Sequence, residues 1–420
     1  MNNQIKAKSM LAESLKLPCG VVLKNRIAKS AMSENMATSN HEANELFVKS
    51  YKIWSQGGAG LLISGNVMVD SRYLGEPDNI VIEKGHEGLQ RLKEWTKAGA
   101  LNNTHLWIQL NHPGKQSPKF LSKEPVAPSA IPFRSSLAKL FNTPRALLES
   151  EIEEIIERFT FSAVVARDAG FTGAQIHGAH GYLVSQFLSP LHNQRTDQWG
   201  GTLENRMRFV MKIYHSMRKA LGASFPISIK LNSADFQKGG FTEDESILVA
   251  QKLSEAGMDL IEISGGTYEV PKMTGTLKMN EKESTLKREA YFLEYCEKVR
   301  SQIRCPIMLT GGFRTSTGME HALSSQACDL IGLARSLAIN PSFPKQLLSG
   351  QNTVSEVKPL TTGFKNLDKV MPLEIVWYTQ QIHRMGHGLT PSAKLSPLWM
   401  ALNSLFKLGI KSLFRVRSNS

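Results

Sequence analysis

A chain of 420 residues with 41% apolar and 21% charged side chains can bury one large α/β core or two average domains, which excludes a globally disordered polypeptide. The 50 Lys and Arg residues against 37 acids give a net charge of +13, open to nucleic acid, an anionic membrane or a phosphate-bearing ligand. The excess is uneven: Arg384, Lys394, Lys407, Lys411, Arg415 and Arg417 follow Ile375 with no acid among them, and the body shows no basic stripe interleaved with aromatics, which argues against a nucleic-acid groove.

The opening MNNQIKAKSMLAESLKL has no apolar segment of the kind that directs secretion, and no apolar run is long enough to cross a bilayer, so a cytoplasmic location is expected. Cys19, Cys296, Cys305 and Cys328 form no Cys-x-x-Cys pair and suggest neither a disulfide framework nor a zinc or iron–sulfur site. KLPCGVVLKN (16–25) predicts a hairpin covering one end of the fold. Eight short apolar runs suited to buried parallel strands then follow: RIAKSAM (26–32), GLLISG (60–65), THLWIQL (104–110), GAQIH (173–177), ISIKL (227–231), DLIEIS (259–264), PIMLT (306–310) and DLIGLA (329–334). Segments of helical period separate them, as in Ile152, Ile155, Ile156, Phe159 and Ala163. Capping boxes are expected where Ser150, Thr242 and Thr317 precede Glu153, Glu245 and Glu320, and helix ends at Gly170, Gly222 and Gly257.

Strand and helix alternating in this way predict a closed (β/α)8 TIM barrel over residues 1–350, with the long Pro- and Ser-rich loop of 110–148 expected to be functional. Residues 351–420 form a basic C-terminal helical extension. One helix is expected over LEIVWYTQQIHRMGHG, ending at Gly386 or Gly388, and a second with Leu398, Leu402, Leu405 and Leu413 on one face. Such a stripe can lie on an anionic membrane, but it packs more often on its own domain or on a second copy in a homo-oligomer.

In a barrel of this kind the reactive residues stand at the C-terminal ends of the strands. Here those are Ser30 to Ser33, Gly65–Asn66, Gln109, His177, Lys230, Gly265, Thr310–Gly311–Gly312 and Ala334–Arg335. No carboxylate pair appears, which argues against two-acid glycoside hydrolysis, and none joins the histidines as a hydrolytic metal site would require. LTGGFRTSTG and GLARSL, after the last two strands, suit a phosphate. His177 and His180, with Tyr182 beyond them, are by spacing alone open to a metal pair, satisfied core histidines or donors around a substrate, the metal pair being the weakest of these. No G-x-G-x-x-G follows a strand, so a nicotinamide would bind over the barrel mouth rather than in a dedicated domain.

LKNRIAKSAM, the glutamine of WIQLNHPGK, the stretch IHGAHGYLVSQFLSPLHNQRTDQWGGTLENRMRF, IKLNSADF, TGGFR and GLAR resemble the old yellow enzyme family of FMN-dependent NAD(P)H oxidoreductases, over about residues 8–350. The resemblance implies that Ser30, Ala31, Met32 and Ser33 line the flavin, that Asn66 contributes a backbone contact, and that Gln109 pairs with the pyrimidine edge. It places Lys230 where negative charge collects on reduction, and Gly311, Gly312, Ala334 and Arg335 around the phosphate. His177 and His180 would bind the carbonyl oxygen of an activated alkene, and Tyr182 would protonate its α-carbon. NADH or NADPH would supply hydride, and the substrate would be a small molecule with an electron-poor double bond.

Many bacterial members carry Pro, Cys and a nearby Tyr where this chain has Ala31, Ser33 and Asn35, which puts Asn35 in the expected substrate pocket. Lys230 in place of the commoner Arg resembles the subgroup near dienoyl-CoA reductases, whose four-cysteine iron–sulfur motif this sequence lacks. An oxidative flavoenzyme of the same fold, akin to amine demethylases or general flavin-linked dehydrogenases, and a flavin-free sugar-phosphate aldolase or isomerase stand as the alternatives.

Overall fold

The computed structural model describes residues 9–134, 138–265, 292–351, 353–364, 367–368 and 372–403. Eight parallel strands close on themselves: β1 (Ile27–Lys29), β2 (Leu61–Met68), β3 (His105–Asn111), β4 (Gly173–Gly178), β5 (Ile227–Asn232), β6 (Leu260–Ser264), β7 (Ile307–Thr310) and β8 (Leu330–Leu333), with β8 pairing back onto β1. All eight predicted runs are strands. They form because their apolar residues are buried on both faces, against the barrel interior and against the surrounding helices. The helices on the outside are α1 (Glu45–Gln56), α2 (Leu89–Gly99), α3 (Glu149–Asp168), α4 (Leu203–Leu221), α5 (Glu243–Glu255), α6 (Leu293–Arg300), α7 (Ser316–Ser324) and α8 (Arg335–Ile339).

The two-residue period of each strand sorts side chains between interior and exterior. At the N-terminal end the interior is an apolar plug of Ala28, Leu61, Ile63, Trp107, Leu260, Met308 and Leu330, sealed by Leu15, Leu17 and Leu23 of the predicted hairpin. The Cys19 backbone N–H donates to Asp259 at 2.9 Å and ties the hairpin to the start of β6. Gly173 is required here, since a Cβ would come within 2.5 Å of the Trp107 indole nitrogen. One step further along the strands the interior turns polar, with Ser30, Gln109, Gln175, Lys230, Glu262 and Thr310 all buried. Above this layer, at the strand ends, the cavity opens.

The helix ends fall at the expected glycines, Gly170, Gly222 and Gly257, all with positive φ. Of the expected capping boxes, Thr242 with Glu245 is present. The other two are corrected. α3 begins before Ser150, where the carboxylate of Glu151 accepts from the Leu148 N–H at 2.8 Å. α7 is capped by Thr315, which accepts from Gly318 N–H at 3.0 Å, while Glu320 is taken by the N–H of Met10 at 3.1 Å. In both cases a long-range or earlier partner outcompetes the local pattern.

Beyond the barrel, α9 (Leu373–Gly386) is the first predicted C-terminal helix. It lies against α1 so closely that a Cβ on Gly386 would meet Leu46 Cβ at 3.0 Å. A short helical segment at 397–403 follows; Leu405, Leu413 and the rest of the expected second helix lie outside the described residues. Among the described residues no helix is long and apolar enough to cross a membrane.

Candidate active site

A cavity of about 280 Å³ opens at the C-terminal ends of the strands. It is lined by Ala31, Met32 and Ser33 from the loop after β1, Asn66 from β2, Gln109, His177 and Lys230 from β3 to β5, Gly311 and Gly312 after β7, and Ala334 and Arg335 after β8. His180 and Tyr182, just past β4, complete that wall. A register shift between Ile63 and Asn66 brings Asn66 onto the cavity.

The turn after β4 gives the two imidazoles different roles. The Ala179 N–H donates to His177 Nδ1 at 3.3 Å, so this nitrogen carries the lone pair and the ring proton sits on Nε2. His180 adopts φ 61°, and its backbone N–H is held by Asn232 Oδ1 at 3.1 Å. Its Nε2 is paired with the Ser264 hydroxyl at 2.7 Å. The His177 ring lies 5.2 Å from that of His180 and 4.8 Å from that of Tyr182, each nearly perpendicular. Burial is the main reason both imidazoles stay neutral: it drives His177 well below the usual histidine range and His180 down to about 3, with the Lys230 charge adding to both. The same turn is fixed from behind by Gln116 Nε2 donating to the His180 carbonyl at 2.9 Å and Gln186 Nε2 donating to that of Gly181 at 2.7 Å. The long 110–148 loop thus supports the histidines through Gln116, while none of its described residues lines the cavity.

At the opposite end, Gly311 and Gly312 have φ of 128° and 84°, which let the backbone run close to a ligand where a side chain could not. Arg335 Nη1 is paired with Glu374 Oε2 at 2.7 Å, and Arg314 donates to the Val357 carbonyl at 3.1 Å. Burial raises the Glu374 carboxyl despite the arginines beside it. Two guanidinium groups and two glycines converging there suit a phosphate. The floor offers an amide at Gln109 beside the Lys230 cation, matching a heterocycle edge that presents donors and acceptors together. Asn66 Oδ1 is buried with no hydrogen-bond partner among the described residues, which leaves an acceptor waiting for a donor. The set fits FMN.

Two expected site residues stand elsewhere. Ser30 points into the barrel interior, its hydroxyl 2.8 Å from that of Thr310, below the cavity rather than on it. Asn35 is turned away, its Oδ1 accepting from the Asp78 N–H at 2.8 Å, so it is not part of the cavity wall. Sequence reasoning also missed residues. Glu76 lines the cavity and accepts from the Ser33 hydroxyl, with burial pushing its carboxyl up. Glu374, Ile375, Tyr378, Thr379 and Ile382 of α9 form a side wall, anchored where Thr379 Oγ1 donates to the Ser33 carbonyl at 3.1 Å and where His383 Nε2 meets the Glu34 carbonyl at 2.8 Å. The sequence predicts a helix over LEIVWYTQQIHRMGHG, but nothing in it says what that helix packs against.

Residues 15–353 match the model of the NADH:flavin oxidoreductase / NADH oxidase family. Among similar proteins, an NADH-dependent flavin oxidoreductase of Talaromyces variabilis is 36% identical over 80% of this chain and 86% of its own. An NADH oxidase of Thermoanaerobacter brockii is 31% identical over 79% of this chain but 50% of its own, so the chain spans about half the length of that relative. Among solved structures, a 2-naphthoyl-CoA reductase superimposes with a TM-score of 0.75 at 25% identity, covering 82% of this chain and 53% of that one. The old yellow enzyme homologue of Zymomonas mobilis does so with 0.69 at 24% identity over 83% and 94%, a likeness of fold. The chain is a member of the old yellow enzyme family, an FMN-dependent NAD(P)H oxidoreductase built on a (β/α)8 barrel.

Proposed function

We propose that this oxidoreductase reduces the activated C=C bond of α,β-unsaturated carbonyl compounds. Bound FMN supplies a two-electron centre that takes hydride from NAD(P)H and gives it to a second substrate. The protein's own residues do the rest. Gln109 and Lys230 hold the pyrimidine edge, and Arg335 with the Gly311–Gly312 turn holds the phosphate.

The observation that carries the reading is the hydrogen bond from the Ala179 N–H to His177 Nδ1, which sets the His177 tautomer. With Nδ1 accepting from Ala179, the imidazole offers a single N–H at Nε2, and its depressed pKa keeps it a neutral donor rather than a cation. Such a donor beside His180 can bind a carbonyl oxygen and stabilise charge that builds on it as the β-carbon takes up hydride. Tyr182, next to His177, is a phenol able to deliver the proton that completes the reaction at the α-carbon.

The test is anaerobic. Enzyme reduced with one equivalent of NADH or NADPH is mixed with a panel of cyclic enones in D2O, and the product is examined by NMR. Oxidation of the enzyme with deuterium from solvent at Cα is expected. Stable reduced enzyme with every enone, alongside rapid reduction of the oxidised form by candidate amines, would instead favour an oxidative dehydrogenase.

A further inference from the structure

The polar layer beneath the cavity has an anion at its centre. Glu262, on β6, is fully buried. Its Oε1 lies 3.0 Å from Lys230 Nζ and accepts from the Thr310 hydroxyl at 2.8 Å, and its Oε2 accepts from Gln175 Nε2 at 2.9 Å. Strand register puts these groups side by side, Lys230 opposite Glu262 and Gln109 opposite Gln175.

A carboxylate accepts hydrogen bonds and cannot donate them. The Gln175 amide is therefore obliged to turn its NH2 towards Glu262 and its oxygen away. That oxygen accepts from Gln109 Nε2 at 2.8 Å. Gln109 in turn keeps its Oε1 and its second N–H for the cavity it lines. An amide orientation is ordinarily ambiguous; here one anion two residues away along the row removes the ambiguity.

We propose that Glu262 is a positioning residue with two effects on bound FMN. It offsets the Lys230 cation and so holds the flavin's reduction potential below the value an unpaired lysine would impose. Through Gln175 it also presents the Gln109 oxygen, an acceptor, to the flavin N3–H. The proposal rests on the reading that Lys230 and Gln109 meet the pyrimidine edge. Reduction adds negative charge to that edge, and in a water-poor interior a fixed cation or anion nearby acts on it with little screening.

The test measures potentials of FMN-loaded variants against reference dyes, and FMN affinity by fluorescence. Glu262→Gln should shift the reduced-to-oxidised ratio at a fixed dye potential at least tenfold towards reduced flavin, about 30 mV for a two-electron couple. Lys230→Met should shift it the opposite way. The double variant Lys230→Met/Glu262→Gln leaves no unpaired buried charge, which protects its folding, and should stay within about threefold of the parent. Gln175→Met keeps the ion pair, so the ratio should hold while FMN affinity falls roughly tenfold.

A double variant displaced as far as Lys230→Met alone, or Glu262→Gln with an unchanged ratio, would overturn the role of Glu262. Lys230→Met with no effect would instead overturn the placement of Lys230, and the proposal with it. Unchanged FMN affinity in Gln175→Met would remove the effect assigned through Gln109.

Discussion

A neutral imidazole with one nitrogen accepting from the backbone can serve a carbonyl only as a donor, and it keeps that role across the pH range in which an ordinary histidine would titrate. His177 and His180 are both held below the usual value of 6.5, His180 to about 3. Turnover of an enone should accordingly show no inflection near pH 6.5 from this pair. A pH–rate profile with a limb at that value, abolished in His180→Asn, would contradict it. At the other end of the cavity, Arg335→Ala takes away the guanidinium proposed to hold the phosphate and should weaken FMN on the order of 10- to 100-fold by equilibrium dialysis, with the barrel still folded.

These residues were legible because a barrel strand alternates. Once eight runs are recognised, the residue at the end of each is determined, and Gln109, His177 and Lys230 follow without any knowledge of contacts. Ser30 and Asn35 did not follow. Ser30 falls on the interior phase of β1 and bonds Thr310, while Asn35 sits in the loop beyond, where no period fixes direction and its side chain accepts from the Asp78 N–H of a distant loop.

At the scale of elements, α9 is the piece the sequence showed without its meaning. Its extent was visible, yet Glu374 and Tyr378 reach the cavity only because the helix docks on α1, and that docking depends on Gly386 having no side chain against Leu46. Gly386→Val should force the helices apart at a cost of about 1–3 kcal/mol. Because α9 also anchors Ser33 and Glu34, FMN affinity should fall together with the thermal midpoint. A variant that loses stability but binds FMN as the parent does would show that α9 is a brace and not a wall of the site. The two misplaced caps carry the same lesson on a smaller scale. Glu320 was free by local pattern to close a box with Thr317, and a backbone N–H from Met10, more than 300 residues away in the chain, takes it instead.

Across the whole molecule, several histidines are folded in as neutral groups. Burial lowers His112 to about 4 and His192 to about 3, alongside His177 and His180. Below the ordinary value of 6.5 the unfolded chain takes up protons at these positions while the native chain does not, so stability falls as pH falls through that window towards about 3. The urea midpoint of the protein should thus be lower at about pH 5 than at about pH 7. An equal or higher midpoint at the lower pH would mean that the native histidines are protonated.

The account turns on Tyr182 acting as proton donor, beside two neutral imidazoles, in a cavity that would hold the flavin, and single-turnover kinetics of Tyr182→Phe separate that from every other role. Loaded with FMN and mixed anaerobically with NADH or NADPH, the variant should lose its yellow absorbance at a rate within about threefold of the parent. Mixed next with an enone, it should regain that absorbance on the order of 100-fold more slowly, the typical worth of a positioned general acid. Recovery with the enone as fast as in the parent, or equal slowing of both halves, would contradict it.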